Sequence, residues 1–154
     1  MPDGILVRHA SRDEAPAVAE VIRNAFATVA ADVGRDIPPL HETTEDVLAT
    51  FESGDAVLVA EASGKVVGTV RGERIGGGGV MVRRLAVLPE LRRAGVARSL
   101  MVALEEAYPD ATRFELFTGE MAKGPIALYE SLGYRLIEPR EDMGFPLVWF
   151  EKCR

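Results

Sequence analysis

The chain has 154 residues, of which 47% are hydrophobic and 27% charged, and it carries a formal net charge of -6. This length corresponds to about one domain, which can bury a core without metals or disulfides. The apolar content excludes a disordered chain, and the acidic balance argues against nucleic-acid binding through bulk positive charge, so we expect no nucleic-acid partner.

Neither a membrane segment nor a secretory signal is expected. The longest charge-free stretches have only eight residues, for example Asn24 to Ala31, whereas a spanning helix needs about 20. The segment Met1 to Ala10 lacks the basic opening and apolar run of a signal peptide, so we expect a cytoplasmic protein. The single cysteine, Cys153, has no second thiol for an internal disulfide or a CxxC site.

A short strand and an amphipathic helix open the chain. Ile5 to Arg8 alternates as a strand does. Apolar residues then recur at helical spacing, namely Val18, Ile22, Ala25, Val29 and Val33. Ser11 with Glu14 fits a capping box, whereas Asp13 as the N-cap would place Pro16 in the first turn, where its missing N–H is tolerated. We favour the start at Asp13.

Turn residues divide the rest of the first half. Gly34 is a helix stop, Pro38 with Pro39 excludes a regular helix, and the four glycines of Gly76 to Gly79 indicate the tip of a hairpin. These signals predict a loop over Arg35 to Glu42, a helix over Thr44 to Phe51, and strands over Ala56 to Ala60, Val66 to Val70 and Val80 to Val87.

The second half alternates helices and strands. The predicted elements are a helix over Gly95 to Tyr108, a strand over Arg113 to Thr118, a helix over Pro125 to Leu132, and strands over Arg135 to Ile137 and Leu147 to Lys152. The chain contains neither a repeat nor a linker. We therefore predict one α/β domain over residues 1 to 154, with a mixed sheet of six to seven strands and about four helices.

The segment Leu85 to Arg98 carries the clearest chemical signal. A hydrophobic strand enters a tight turn with arginines and a glycine, and the turn opens directly into a helix. Such a junction presents unpaired backbone N–H groups at the positive end of a helix dipole, which suits phosphate oxygens. Gly95 and Ala97 are small enough to let a pyrophosphate approach the chain. Because no GxxxxGK[ST] motif is present, we do not expect nucleoside triphosphate hydrolysis.

Two motifs resemble the GNAT superfamily of N-acetyltransferases. Arg92-x-x-Gly95-x-Ala97 after the strand is similar to its acyl-CoA signature, [QR]-x-x-G-x-[GA]. Residues 126 to 134, IALYESLGY, resemble its late helix with an LY pair and a closing GY. One feature departs from the pattern: no asparagine precedes Tyr129 within seven residues, where related sequences often carry one.

The resemblance implies a single-domain fold with the sheet splayed between its fourth and fifth strands and acetyl-CoA held in the gap. It implies no metal. The backbones of Leu85, Ala86 and Val87 would bind the acetyl carbonyl and the pantetheine arm. The turn implied to hold the pyrophosphate consists of Arg93, Ala94, Gly95, Val96, Ala97 and Arg98. Tyr129 occupies the position of the family's general acid for the departing thiolate.

The implied reaction is direct attack of a primary amine, from a small molecule or a peptide, on the thioester. No single general base stands out. The candidates are Glu73, Glu115, Glu120, His41 and Glu42. The loops Ala31 to Glu42 and Gly76 to Gly79 are expected to border the acceptor.

Two alternatives remain open from the sequence. The chain could be a catalytically weak or inactive acyl-CoA sensor. The missing asparagine favours this alternative, whereas Tyr129 argues against it. A homodimer is possible, since many relatives are homodimers. Phe145 to Phe150 would offer an apolar strand for pairing, although a core strand explains Trp149 and Phe150 equally well.

Overall fold

The computed structural model of the protein describes residues 4–120, 122–144 and 146–154. Its strands are β1 (Ile5–His9), β2 (Val57–Ala62), β3 (Lys65–Gly76), β4 (Gly79–Val87), β5 (Arg113–Gly119), β6 (Arg135–Ile137) and β7 (Leu147–Cys153). Its α-helices are α1 (Ala15–Val33), α2 (Thr44–Glu52), α3 (Val96–Ala107) and α4 (Lys123–Ser131). Short 3-10 turns cover Arg12–Glu14, Pro38–His41 and Pro89–Leu91.

The strands form one sheet in the order β1-β2-β3-β4-β5-β7-β6. All neighbours are antiparallel except β4 and β5, which run parallel because α3 connects them. This mixed sheet with its helices confirms the predicted single α/β domain. β7 lies between β5 and β6, so Trp149 and Phe150 are core residues of an interior strand, whereas Phe145 lies outside the described residues.

The predicted start of α1 at Asp13 is wrong. The backbone N–H of Ser11 donates to Glu14 Oε1 at 2.8 Å, and a 3-10 turn over Arg12–Glu14 precedes the helix. Arg8 fixes this choice, because its guanidinium donates to both carboxylate oxygens of Glu14 at 2.8 Å. The contact of Arg8 in β1 with Glu14 therefore decides between the two N-cap candidates, Ser11 and Asp13.

The sheet is splayed between β4 and β5, as predicted. Pairing holds for only three positions, from Gly79 opposite Arg113 to Met81 opposite Glu115. Beyond Met81 the two strands separate, although both continue for several residues. A wedge-shaped gap therefore opens at the carboxyl ends of β4 and β5.

A β-bulge in β4 lies beside this gap. The register with β3 shifts between Thr69 opposite Ala86 and Arg71 opposite Arg83, so β4 carries one extra residue there. The extra residue is accommodated at Arg84, whose φ of 54° lies in the left-handed region that residues with side chains rarely adopt. The bulge changes the direction of the last residues of β4, beside the gap.

The two faces of the sheet carry different helices. A Cβ on Gly72 of β3 would lie 2.6 Å from the Tyr108 ring, and one on Gly68 would lie 3.2 Å from Leu100, so α3 packs tightly on this side. We call it the α3 face. Arg71 alternates to the opposite side, where it binds Glu42 between α1 and α2, and we call that side the α1 face.

Candidate active site

The turn before α3 exposes backbone N–H groups without internal partners. Arg93 and Gly95 have φ of 67° and 81°, which turns successive amides toward the same side. Among the described residues, the amide nitrogens from Arg93 to Arg98 make no well-formed hydrogen bond, and the first bonded amide after them is that of Ser99, to Gly95 O at 3.1 Å. This arrangement is an anion site at a helix N-terminus.

Two arginines of the turn have structural partners. Arg92 donates from Nη2 to the carbonyl of Ala25 in α1 at 2.9 Å, so the first residue of the sequence motif anchors the turn. Arg98 donates from Nη2 to Ser131 Oγ at 2.6 Å, which joins α3 to α4. Arg93 is exposed and makes neither contact. The side chains of the turn thus hold its shape while its backbone faces outward.

The backbone of β4 faces the gap at two positions. Leu88 N–H bonds to Val67 O of β3 at 2.9 Å, and in an antiparallel ladder the next residue, Val87, must direct its N–H and C=O the other way. Leu85, two residues earlier, points to the same side by strand alternation. β5 has already separated here, so the backbone groups of Leu85 and Val87 border the gap.

Tyr129 lies beside β7, next to β5, the strand on the other side of the gap. Its ring packs 6.3 Å from that of Phe150, whose strand partner in β5 is Leu116. The side chain is 7% exposed, and burial raises its pKa to about 12. Among the described residues its hydroxyl has no hydrogen-bond partner, and no sealed side-chain oxygen there lacks one, so the hydroxyl reaches open space.

Two of the five candidate bases are buried ion-pair partners. Glu42 is 3% exposed and accepts from Arg71 and from Arg84 Nε, the latter at 3.1 Å. Glu115 is also 3% exposed. Burial alone would raise the pKa of Glu115, but hydrogen bonds from Arg113 and Arg140 outweigh it, so the pKa lies below its ordinary value. With its pKa lowered in this way, Glu115 is a poor proton acceptor.

The other three candidates lie on the surface. His41 Nε2 lies 2.7 Å from Asp36 Oδ2, and both side chains are largely exposed. Glu73 accepts from Arg83 Nε at 2.9 Å. Glu120 is exposed just after β5, at the mouth of the gap. The structure therefore places Leu85 and Val87 at the gap and Tyr129 beside β7, next to β5, and four of the five candidate bases are already held by a charged partner.

Sequence reasoning missed the arginines that surround this gap on the α1 face. Arg84 in the bulge and Arg71 bind the same buried carboxylate, although their partner lies in a loop some 30 to 40 positions earlier. The only local signal is the Arg83-Arg84 pair inside an otherwise apolar strand. A charged pair in such a strand indicates partners from elsewhere in the fold.

A turn with free amides beside a splayed parallel strand pair is suited to an extended ligand that ends in a diphosphate. The model of the acetyltransferase (GNAT) domain matches residues 53–136, more than half of the chain. The chain belongs to the GNAT acetyltransferase family. No curated protein matches it.

Solved structures share the fold over nearly the whole chain. The PaiA N-acetyltransferase of Thermoplasma acidophilum, in complex with coenzyme A, is 17% identical with a TM-score of 0.83, over 97% of this chain and 99% of that one. YncA of Salmonella typhimurium, a putative acetyltransferase with its cofactor acetyl-CoA, is 22% identical with a TM-score of 0.77, over 98% and 94%. A ribosomal-protein-alanine N-acetyltransferase from Brucella melitensis is 20% identical with a TM-score of 0.76, over 97% and 99%.

Within residues 4–120, 122–144 and 146–154, none of the helices has both the length and the hydrophobicity to span a bilayer. The same residues contain no cluster of three or more potential metal ligands.

Proposed function

We propose that this chain is an acetyl-CoA-dependent N-acetyltransferase whose acceptor, a primary amine, attacks the thioester directly. The observation that carries the proposal is the separation of β4 and β5 after Met81 and Glu115, next to a turn whose amides have no internal partner. Family membership supports the acetyl donor, as do the similar folds that hold coenzyme A or acetyl-CoA.

The unpartnered amides fit the donor. Acetyl-CoA supplies an activated acetyl thioester. The N–H groups from Arg93 to Arg98 bind its pyrophosphate, because they converge at a helix N-terminus without competing acceptors. The strand segment of Leu85, Ala86 and Val87 binds its pantetheine arm, with the outward N–H and C=O groups of Leu85 and Val87 replacing the missing β5 partner.

Tyr129 donates a hydrogen bond to the departing sulfur. A pKa of about 12 for Tyr129, against about 8.5 for an ordinary thiol, makes full proton transfer unfavourable by about 5 kcal/mol. A hydrogen bond that strengthens as the sulfur becomes negative avoids this cost. The hydroxyl is available for it because it has no partner among the described residues.

Direct transfer to the amine agrees with the position of the only thiol. Cys153 is opposite Arg113 at the paired end of β5, whereas the gap opens beyond Glu115. A thiol at that end of the strand is remote from the thioester and is not placed to accept the acetyl group. The amine proton leaves to water, because the two buried carboxylates nearby are held by arginines.

The test is CoA-thiol release in the presence of acetyl-CoA and a panel of primary amines. We expect release that depends on one class of amine, and no acetylated protein after incubation with acetyl-CoA alone. Tight acetyl-CoA binding without release for any amine would instead indicate the sensor alternative. An acetylated Cys153 would contradict direct attack.

A further inference from the structure

Five arginines lie on the α1 face, beside the gap and beside the paired end of β4 and β5 that adjoins it. They come from three neighbouring strands and the loop before β7, and we call them the arginine band: Arg71, Arg83, Arg84, Arg113 and Arg140. Among the described residues four glutamates pair with them, namely Glu42, Glu73, Glu115 and Glu151, and Glu151 is shared with Arg135.

On the β4 side of the gap, two arginines share one carboxylate. Arg71 and Arg84 both bind Glu42, and a third arginine, Arg23, donates from Nη1 to the Glu42 carbonyl at 2.7 Å. The Arg71 and Arg84 side chains are 13% and 23% exposed, so both remain partly accessible. One carboxylate neutralises one of these guanidinium groups and leaves the other in excess.

On the β5 side the same arrangement recurs. Glu115 accepts from Arg113 Nε at 2.6 Å and from Arg140 Nε at 3.1 Å. Arg140 also lies 3.3 Å from Glu151, but Glu151 is already paired with Arg135. This side of the gap therefore also carries a surplus of positive charge.

Arg83 connects the two sides across the opening. Its strand position is two residues past Met81, where β4 and β5 have ceased to pair, and its Cζ lies 5.9 Å from the Phe117 ring centroid of β5. Its single carboxylate partner, Glu73, contacts Nε only. Both Nη groups of Arg83 thus lack an acceptor among the described residues.

Arg84 has the same pair of free donors. Glu42 accepts from Nε, and neither Nη has an acceptor among the residues that the structure describes. No sealed side-chain nitrogen in that part of the chain lacks a partner, so these Nη groups reach open space. Two Nη groups on one guanidinium form the planar fork that binds a carboxylate with two parallel hydrogen bonds.

We infer that the acceptor is a small amine that also carries a carboxylate, as a free amino acid does, and that the arginine band binds this carboxylate. The inference rests on the proposed function. A protein with net charge -6 that concentrates uncompensated arginines around one gap is suited to an anionic partner there and disfavours polycations.

The position of Arg84 limits the size of this acceptor. Arg84 directly precedes Leu85, whose backbone we assign to the thioester arm, and consecutive Cα atoms are about 3.8 Å apart. The carboxylate at the guanidinium and the amine at the thioester then lie within about the length of one arginine side chain of each other. A peptide N-terminus, with its carboxyl group remote, does not satisfy this condition.

The decisive experiment uses the wild-type protein with matched acceptors. Rates of CoA-thiol release are compared for several amino acids, their primary amides and the corresponding decarboxylated amines, and acetyl-CoA binding is measured separately by calorimetry. We expect kcat/KM for an amino acid to exceed that of its amide by at least tenfold, a factor equal to about 1.4 kcal/mol. Equal or faster turnover of the amide or the decarboxylated amine would overturn the inference and leave the proposed function intact.

Failure of the proposed function gives a different pattern. If no amine releases CoA, binding is compared by thermal shift in the presence of CoA. A larger shift with the amino acid than with its amide supports the carboxylate site without transfer, and equal shifts overturn it. Absence of acetyl-CoA binding would reject the proposed function itself.

Substitutions in the arginine band test whether its arginines cause the preference for an amino acid over its amide. We expect Arg84→Gln and Arg83→Gln each to lower the preference for the amino acid over its amide at least fivefold. Arg83→Gln is included because loss of Arg84 leaves Glu42 with one fewer partner in a buried position. The matched control is Arg74→Gln, since Arg74 lies on the opposite face of β3 and also pairs with one carboxylate, Asp110. A similar loss in the control, or none in either variant, would contradict the assignment.

Discussion

Replacement of Tyr129 by phenylalanine separates catalysis from stability. The hydroxyl has no partner among the described residues, so Tyr129→Phe removes no hydrogen bond and keeps the ring contacts with Tyr134 and Phe150. The hydroxyl reaches open space, so its removal leaves no buried group unpaired. We therefore expect an unchanged Tm.

The expected catalytic cost follows from the pKa of about 12. The hydroxyl stays protonated at every working pH and contributes one hydrogen bond to the developing thiolate. Loss of one such preorganised donor costs roughly 100- to 1,000-fold in kcat. Binding of acetyl-CoA itself, which depends on the backbone of the turn and of β4, should be preserved.

Tyr134→Phe is the matched control. Tyr134 is similarly buried, but its hydroxyl donates to Glu105 Oε2 at 2.9 Å. Loss of a hydrogen bond to a charged group costs about 1.5 to 3 kcal/mol, or roughly 3 to 12 °C in Tm for a chain of this size. We expect Tyr134→Phe to lower Tm with kcat nearly intact. Full activity of Tyr129→Phe in a steady-state thiol-release assay would refute the assigned role.

Three further substitutions test the turn, the ion cluster and the N-terminal contact. Arg93→Gly keeps the positive φ and removes the side chain, so KM for acetyl-CoA should rise less than about tenfold, and a rise above about 100-fold would show that the side chain binds. Glu42→Gln leaves Arg84 without its charge partner and should lower the free energy of unfolding by about 3 to 5 kcal/mol in denaturant melts, whereas a change below about 1 kcal/mol would contradict its structural role. Arg8 holds the pKa of Glu14 at about 2, so stability present above the ordinary value near 4.5 should be lost as pH falls toward 2. Glu14→Gln should flatten that part of the stability curve and cost about 1 to 3 kcal/mol at pH 7, and an unchanged acid transition would argue against the contact.

Local patterns sufficed for the order of the helices and strands. Gly34 ends α1 with φ of 68°, and Gly77 and Gly78 form the tip between β3 and β4, both with positive φ. These residues act through their own backbone, so their effect is visible in a single sequence. The splay was implied by a family resemblance and is present in the pairing of β4 and β5.

Long-range ion pairs explain why the burial of Glu42 and Glu115 could not be predicted from the sequence. Glu42 and Glu115 look like surface carboxylates in a loop and in a strand, yet each is 3% exposed because two arginines neutralise it. Those partners lie far along the chain in most cases, so no local pattern signals the burial. The positive φ of Arg84 has the same origin, since its partner Glu42 helps to hold a conformation that arginine alone disfavours.

We propose that backbone amides of the turn before α3 and of β4 hold the acetyl donor, and amide NMR tests this most directly. An isotope-labelled sample titrated with CoA should show its largest shift changes at the amides from Arg93 to Arg98 and at Leu85 and Val87. Saturable binding that leaves these amides unperturbed while shifting others, or no binding at all, would contradict the account.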